Sequence, residues 1–335
     1  MSGMGSVIKS KSQGRLKAVL TNYLLLFILA IIFIVFSIVL QDTYPTQSNI
    51  MTFLRQGSIY GSIILGVTWV LAADEMDVSF PDIAAFSSVL TAVLMNNGMS
   101  IDVAAFISIG CGALFGILNG VLVTKFKLKS LIVTIAVSGV AKAMALILGV
   151  GTTVPIQKAE GTMFYSIIWG DFFGVPVIFI AVVIMVIVMM IVQERTKFGQ
   201  YIYAIGDNKE AAEVAGININ SILRKVFVIS GVFAAFGGVM LMLMVNSGQP
   251  TIGSTIFLDS FTKLFLGAML FKIGKTNVFG TLVGAILLAM LVNGLTQLGT
   301  PSYISQIVTG ALLIVGVTIT SLLKRRRQHA LMLNA

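Results

Sequence analysis

A chain of 335 residues that is 57% hydrophobic and only 10% charged, with a mean hydropathy of +1.00, is an integral membrane protein, since soluble domains carry about 25% charge. One cysteine, Cys111, and one histidine, His329, exclude a disulfide framework, a thiol–metal site and a His-based catalytic centre, so no catalytic or metal-ligating residues are assigned. The net charge of +9 comes from Lys and Arg at the ends of apolar runs, which marks cytoplasmic anchoring against the lipid bilayer and not a nucleic-acid surface.

Residues 1–17 are polar and basic, with Lys9, Lys11, Arg15 and Lys17, and form a cytoplasmic N-terminus. The run 18–40 is too long for a signal-peptide core and lacks a small-x-small cleavage site before Gln41, so it is a retained first span. Residues 41–49 carry no Lys or Arg and are expected outside. The run 57–73 is a second span; Asp74, Glu75 and Asp77 then interrupt it, and Pro81 and Asp82 precede a short run at 83–95. That pattern predicts a broken or re-entrant pair instead of two full-length spans. The fourth span, 103–124, ends in Lys125, Lys127 and Lys129, and 131–150 returns outward with Lys142 inside it. The segment 151–174 is polar, with a short interfacial helix expected around 164–169, and 175–192 runs back in.

The interval 194–220 is the longest polar stretch between two apolar runs. Asp207 is placed to cap a helix with Glu210 as its third residue, a capping-box spacing, and Gly216 supplies the left-handed stop. About two turns result, roughly 12 Å long, with Ala211, Ala212 and Ala215 on one face as a low ridge suited to a soluble partner's cleft. Asn208 lies within the same segment.

After this loop, 226–245 runs outward, 246–255 is a Gly/Pro turn region, and 258–271 is a short passage of about 14 residues, below the usual ~20 for a span, that holds Asp259 and Lys263. Then come 278–298, 303–323 and a basic tail beginning Lys324-Arg325-Arg326-Arg327. About ten passages result, and every basic cluster falls on one side, so both termini are expected in the cytoplasm. The architecture expected is an all-α membrane protein: basic N-terminus 1–17, transmembrane domain 18–323 with a cytoplasmic coupling loop at 194–221, and basic tail 324–335. An internal echo, Asn119-Gly120 with Ile132-Val133-Thr134 against Asn293-Gly294 with Ile307-Val308-Thr309, falls five passages apart. That offset is the signature of a 5+5 inverted repeat, against which stands coincidence between two apolar helix pairs.

Gly274-Lys275-Thr276 resembles the end of a phosphate-binding loop, but the first required glycine is Met269 and no strand precedes it. ATP is therefore not expected on this chain. Polar residues inside spans default to functional hypotheses. The candidates for a translocation path are Asp77, Asn119, Lys142, Asn246, Asp259 and Asn293. Against that stand bland roles: Asp259 and Lys263, four apart on a helix, neutralising each other; Lys142 pairing with an acid at 74–82 or snorkelling; and the asparagines bonding between helices.

Several segments together resemble the permease subunits of bacterial ABC importers of the ribose/xylose/autoinducer-2 type. They are Leu65-Gly66-Val67-Thr68 through Asp77-Val78-Ser79, Gly116-Ile117-Leu118-Asn119-Gly120 with Val123-Thr124-Lys125, and Tyr203-Ala204-Ile205-Gly206-Asp207-Asn208 with Ala211-Ala212 and Gly216-Ile217-Asn218. Gln249-Pro250, Leu258-Asp259 and Gly280-Thr281-Leu282-Val283-Gly284-Ala285 leading to Asn293-Gly294-Leu295 complete the set, in order over 55–320. The resemblance implies a dimeric membrane core built with a second copy or a paralogue, separate ABC ATPase subunits carrying ATP and Mg, and an external solute-binding protein. It implies that the helix beginning at Asp207 docks in the ATPase, that the chain is not itself an enzyme, and that the solute is a monosaccharide or related metabolite imported across the bacterial inner membrane. The chain departs from the family at Asp74, Glu75 and Pro81 and at 269–275, near the segments expected to shape the pathway. The alternatives from other classes are a stand-alone secondary transporter or channel and the partner half of a heterodimeric permease.

Overall fold

A computed structural model describes residues 23–156, 161–270 and 275–333. The basic residues expected at 1–17 and Lys272 lie outside the described residues. The helices are α1 (Leu24–Val39), α2 (Gln47–Ala72), α3 (Phe80–Asn96), α4 (Ile101–Lys125), α5 (Ser130–Leu148), α6 (Met163–Trp169) and α7 (Val177–Arg195). They continue as α8 (Lys197–Asp207), α9 (Lys209–Val214), α10 (Ile219–Val245), α11 (Ile252–Gly267), α12 (Val278–Gln297) and α13 (Ser302–Leu333). Two antiparallel ladders of two residues a side complete the described structure: β1 (Val154–Pro155) pairs with β4 (Ser247–Gly248), and β2 (Asp171–Phe172) with β3 (Val175–Pro176).

Among the described residues seven helices are long and apolar enough to cross a membrane: α2, α4, α5, α7, α10, α12 and the first part of α13. The helices α1 and α3 are apolar but shorter. The expected second span is longer than its apolar run. It starts at Gln47, capped by the Thr46 hydroxyl, which accepts from Asn49 N at 3.4 Å. Its first turns carry Gln47, Asn49 and Arg55, which hide the helix from a hydropathy reading. Two of these have protein partners: the Asn49 amide donates to Tyr44 O at 2.9 Å and Arg55 Nε to Ile168 O at 2.8 Å. The broken pair is thus a 26-residue helix, a short elbow at 73–79, and the 17-residue α3, which takes Pro81 in its first turn, where no intrahelical N–H is needed.

The bundle is built on α10, which packs against α4, α2 and α3, while α2 also lies along α12. In the same way α3 packs on α4 and α5, and α11 on α12 and α13. Close approach of α4 and α10 depends on Gly112, Gly116 and Gly120, spaced by four. A Cβ at Gly116 would stand 2.7 Å from Val228 Cα, and one at Gly120 2.9 Å from Arg224 Cα, so only small residues allow this crossing. At the periphery, α5 and α7 leave Ile132, Ile135, Ile147, Ile184, Val188 and Ile191 exposed. A bundle apolar on its outside as well as inside is solvated by lipid.

The connections gather at two ends. At one, the elbow meets α5 (Met76 N donates to Ser130 Oγ at 3.1 Å) and α9 (Lys209 Nζ to Glu75 Oε1, 2.8 Å), while Tyr203 of α8 donates to Thr276 O at 3.1 Å. At the other, β1 pairs with β4, Asn96 donates to Pro155 O at 3.0 Å, and Asp102 accepts from Phe164 N at the start of α6 at 3.1 Å. Asn246, in the left-handed conformation at φ 53, ends α10 at this second end. The expected interfacial helix is α6. The expected short passage is displaced: α11 runs Ile252–Gly267, starting within the predicted turn region and stopping before Met269.

Candidate docking loop and buried polar cluster

The polar interval folds as two helices that share a corner. Thr196 caps α8, accepting from Gly199 N at 3.4 Å, and Ile202 and Ile205 turn its apolar side inward. A chain of hydrogen bonds fastens α8 to the bundle. Trp69 Nε1 of α2 donates to Gln193 Oε1 of α7 at 3.0 Å, Gln193 Nε2 donates to the Tyr203 hydroxyl at 2.7 Å, and that hydroxyl donates to Thr276 O. Burial, with the nearby Glu194 and Asp207 carboxylates, pushes the Tyr203 phenol above its ordinary range. Lys275 Nζ lies 5.0 Å above the Tyr203 ring and 2.5 Å from Asp207 Oδ2.

The cap of the short helix is one residue later than the sequence suggests. Asp207 is the last residue of α8, bound to Lys275, and Asn208 Oδ1 accepts from Ala211 N at 3.0 Å to start α9. With Asn208 as cap, the third helical residue is Ala211, so the capping box with Glu210 does not form. Helix α9 has six residues, about 9 Å at 1.5 Å per residue, shorter than two turns. Gly216 does adopt the left-handed conformation, at φ +79. The alanine ridge divides: Ala212 is buried, while Ala211 and Ala215 are exposed. The outward face is Glu210, Ala211, Val214 and Ala215, and Val214 is 91% exposed. An apolar side chain so fully presented beside small neighbours is the feature that sequence reasoning passed over. Its signal was there, a lone β-branched residue at the end of a charged helix.

Of the six candidate path residues, the fold brings two together. Asp77, fully buried in the elbow, accepts from Ser79 N at 2.9 Å and Ser79 Oγ at 2.6 Å on one oxygen, and from Ser230 Oγ of α10 at 2.7 Å on the other. Asn119 of α4, also fully buried, donates to Ser79 Oγ at 2.8 Å. The elbow is thereby tied to α4 and α10. The remaining four are dispersed. Asn293 accepts from Gln297 Nε2 at 3.1 Å, which also donates to Asn49 Oδ1 at 2.6 Å. Asn246 forms the αL end of α10. Lys142 is half-buried on α5; it is Ser138, one turn earlier, that bonds Asp82. Among the described residues no ion pair joins Asp259 to Lys263: the Lys263 ammonium sits over the Tyr60 ring, 4.3 Å from its centre.

Beside α9 lies an open cleft of about 700 Å³, lined by Asp74, Glu75, Lys127, Lys129, Lys209 and Glu213 among others. The unusual acids of the elbow therefore face α9. Arg55, absent from the sequence reading, holds the opposite end, with its guanidinium 5.1 Å over Trp169 and 3.4 Å from Asp171.

Among the described residues no cluster of His, Cys, Asp and Glu is placed to hold a metal ion. Residues 49–317 match the family model described as "Branched-chain amino acid transport system / permease component". The chain belongs to this permease family. The permease is 33% identical to the ribose import permease protein RbsC of Bacillus subtilis, over 89% of its own length and 91% of that protein's. It is 26% identical to the L-arabinose ABC transporter permease protein AraH of Azospirillum brasilense, over 96% and 94%. A third relative, the xylose transport system permease protein XylH of Haemophilus influenzae, is 26% identical over 93% and 99%. No solved structure matches significantly. As a member of this family the permease is a multi-pass membrane protein and a translocating subunit, not an enzyme.

Proposed function

We propose that this permease is the membrane subunit of an inner-membrane ABC importer for a small polar solute, a monosaccharide or related metabolite. The observation that carries it is full-length similarity to permeases named for ribose, arabinose and xylose, together with a family match over most of the chain. ATP and Mg would be held by separate ATPase subunits, and an external solute-binding protein would deliver the solute to a permease dimer. The stretch 194–221 is the coupling loop of a transmembrane domain 18–323, with α9 as the docking helix. Its exposed Glu210, Ala211, Val214 and Ala215 would meet the ATPase. Asp207, Asn208 and Gly216 would set the angle of the peg, and Ala212 would anchor it.

Ten passages with both termini on the docking side fit the segregation of connections to two ends. A 5+5 inverted repeat is supported by paired packing: α4 on α10 answers α12 on α2, and α3 on α4 and α5 answers α11 on α12 and α13. Thr134 and Thr309, the matching threonines of the echo, are both buried on helices otherwise largely exposed. Asp77 and Asn119 act in this reading as structural ties close to the path, while Lys142, Asn246, Asp259 and Asn293 are the more accessible polar candidates for contact with solute.

The test is purification of the permease from its native membrane, followed by identification of bound proteins and ATP-dependent uptake of ribose, arabinose and xylose into proteoliposomes with the binding protein inside the assay. Association with an ABC ATPase and uptake that requires ATP are expected. Solute movement by the permease alone down an ion gradient would instead support a secondary transporter.

A further inference from the structure

Helix α9 is joined to its surroundings by two joints. One is the corner at Asn208, whose backbone is extended at φ −159 and ψ 104, and the other is the left-handed turn at Gly216. Between them lie seven residues, of which Ala212 alone is buried. A stiff, mostly exposed rod between two bends moves as a unit. Among the described residues, one side-chain hydrogen bond leaves this rod for the elbow: Lys209 Nζ to Glu75 Oε1, 2.8 Å, with the Glu75 side chain 13% exposed.

The elbow is itself a tight device. It bends at Asp74, where φ is 59, a left-handed conformation that a non-glycine residue seldom takes. Two residues beyond Glu75, Asp77 is fastened to α10 through Ser230, and Ser79 to α4 through Asn119. The Met76 and Val78 amides are given to Ser130 and Thr134 of α5 at 3.1 and 3.2 Å. A pull on Glu75 is thus delivered to three membrane helices within four residues. Across the corner, Asp207 reaches the opposite way, to Lys275 ahead of α12. Two residues of opposite charge flanking one cap residue therefore hold the rod to two different parts of the bundle.

We propose that the Glu75–Lys209 ion pair is the strap that carries displacement of α9 to the α2–α3 elbow, with Asp207–Lys275 as the fixed point about which the rod turns. Glu75 and Lys209 are then positioning residues for energy coupling, and this rests on α9 being the ATPase-docking helix. An ion pair this exposed on one side shifts an equilibrium by roughly 1.4- to 5-fold, enough to set how often movement of the rod reaches the elbow.

The experiment is hydrogen–deuterium exchange of the permease–ATPase complex, nucleotide-free and trapped with ATP and vanadate, following peptides that cover 208–216 and 73–79. Both are expected to change on trapping in the unaltered complex. In Glu75→Gln and in Lys209→Gln the change at 208–216 should persist while that at 73–79 falls about threefold, within the range for such a pair. The charge exchange Glu75→Lys with Lys209→Glu should restore at least half of it, which a merely structural role for either residue would not do. The strap is overturned if 73–79 does not respond in the unaltered complex, responds equally in the single variants, or is not rescued by the exchange. If 208–216 itself is silent on trapping, the docking reading fails, and the strap with it.

Discussion

Replacing Ser230 by alanine removes the one donor that α10 gives to the Asp77 carboxylate, at 2.7 Å between two groups with no exposed surface. The volume lost is a single oxygen, so the cavity term is small and the hydrogen bond dominates. Leaving a buried acceptor without its partner costs about 1–3 kcal/mol. No water can replace the lost donor, which puts the cost toward the upper half of that range. At about 2 °C per kcal/mol for a chain of this size, the midpoint of thermal unfolding in detergent should fall by about 4–6 °C. Asp77→Asn should cost less, because Ser230 can rotate to accept from the new amide, whereas Asp77→Ala strands Ser79 and Ser230 together and should reduce folded yield. The assay is monodispersity by fluorescence-detected size exclusion after graded heating, run beside ATP-dependent uptake at a temperature where all variants remain folded. A tie between helices lowers thermal stability first. A midpoint for Ser230→Ala within 1 °C of the unaltered protein, with uptake lost, would refute this reasoning and make Asp77 a solute contact.

Three further outcomes are expected. Gly116→Val drives a branched side chain into the α10 backbone, where a Cβ alone would already stand 2.7 Å from Val228 Cα; overpacking costs about 1–3 kcal/mol or more, seen as reduced folded yield, while the same change at Gly110, which faces open space, should be tolerated. Val214→Asp should leave the unfolding midpoint unchanged, because the side chain is 91% exposed, yet lower the ATPase retained on co-purification by about tenfold or more, as burying an unpaired carboxylate in an apolar contact demands. Tyr203→Phe loses the links to Gln193 and Thr276 and should cost about 1–2 kcal/mol. Because the folded phenol titrates above its ordinary value of 10.0, the unfolded chain loses its proton first as pH rises, so the tyrosine's contribution is complete below pH 10 and fades above it; the phenylalanine variant should lack that alkaline decline in urea titrations.

What was legible in the sequence was carried by composition and period. Apolar runs located the helices, and Gly216 marked the end of α9, because hydropathy and left-handed turns are local properties. The misses have tertiary causes. Six of the first ten residues of α2 are polar, and the partners of two, Tyr44 O for Asn49 and Ile168 O for Arg55, sit in other elements. Asp207 and Asn208 are equally competent caps, and Lys275, 68 residues away, takes the first of them and leaves the second. An alanine ridge read from spacing could not reveal that Ala212 faces inward, since small residues suit either environment. Asp74 and Glu75 were expected beside the solute route. Lys209 and the cleft beside α9 set them against that helix, a tertiary relation across 134 residues that no run or motif announces. The chain Trp69–Gln193–Tyr203–Thr276 was invisible for the same reason.

The most direct measurement is uptake by the purified permease–ATPase complex in proteoliposomes, with radiolabelled ribose, arabinose and xylose offered separately to the binding-protein-loaded face and ATP supplied on the other. At least one of these sugars should accumulate only when ATP is hydrolysed, and accumulation should fall about tenfold or more in Val214→Asp, in step with its loss of ATPase retention. Accumulation that proceeds without ATPase, driven by an imposed proton or sodium gradient, would contradict the importer reading outright.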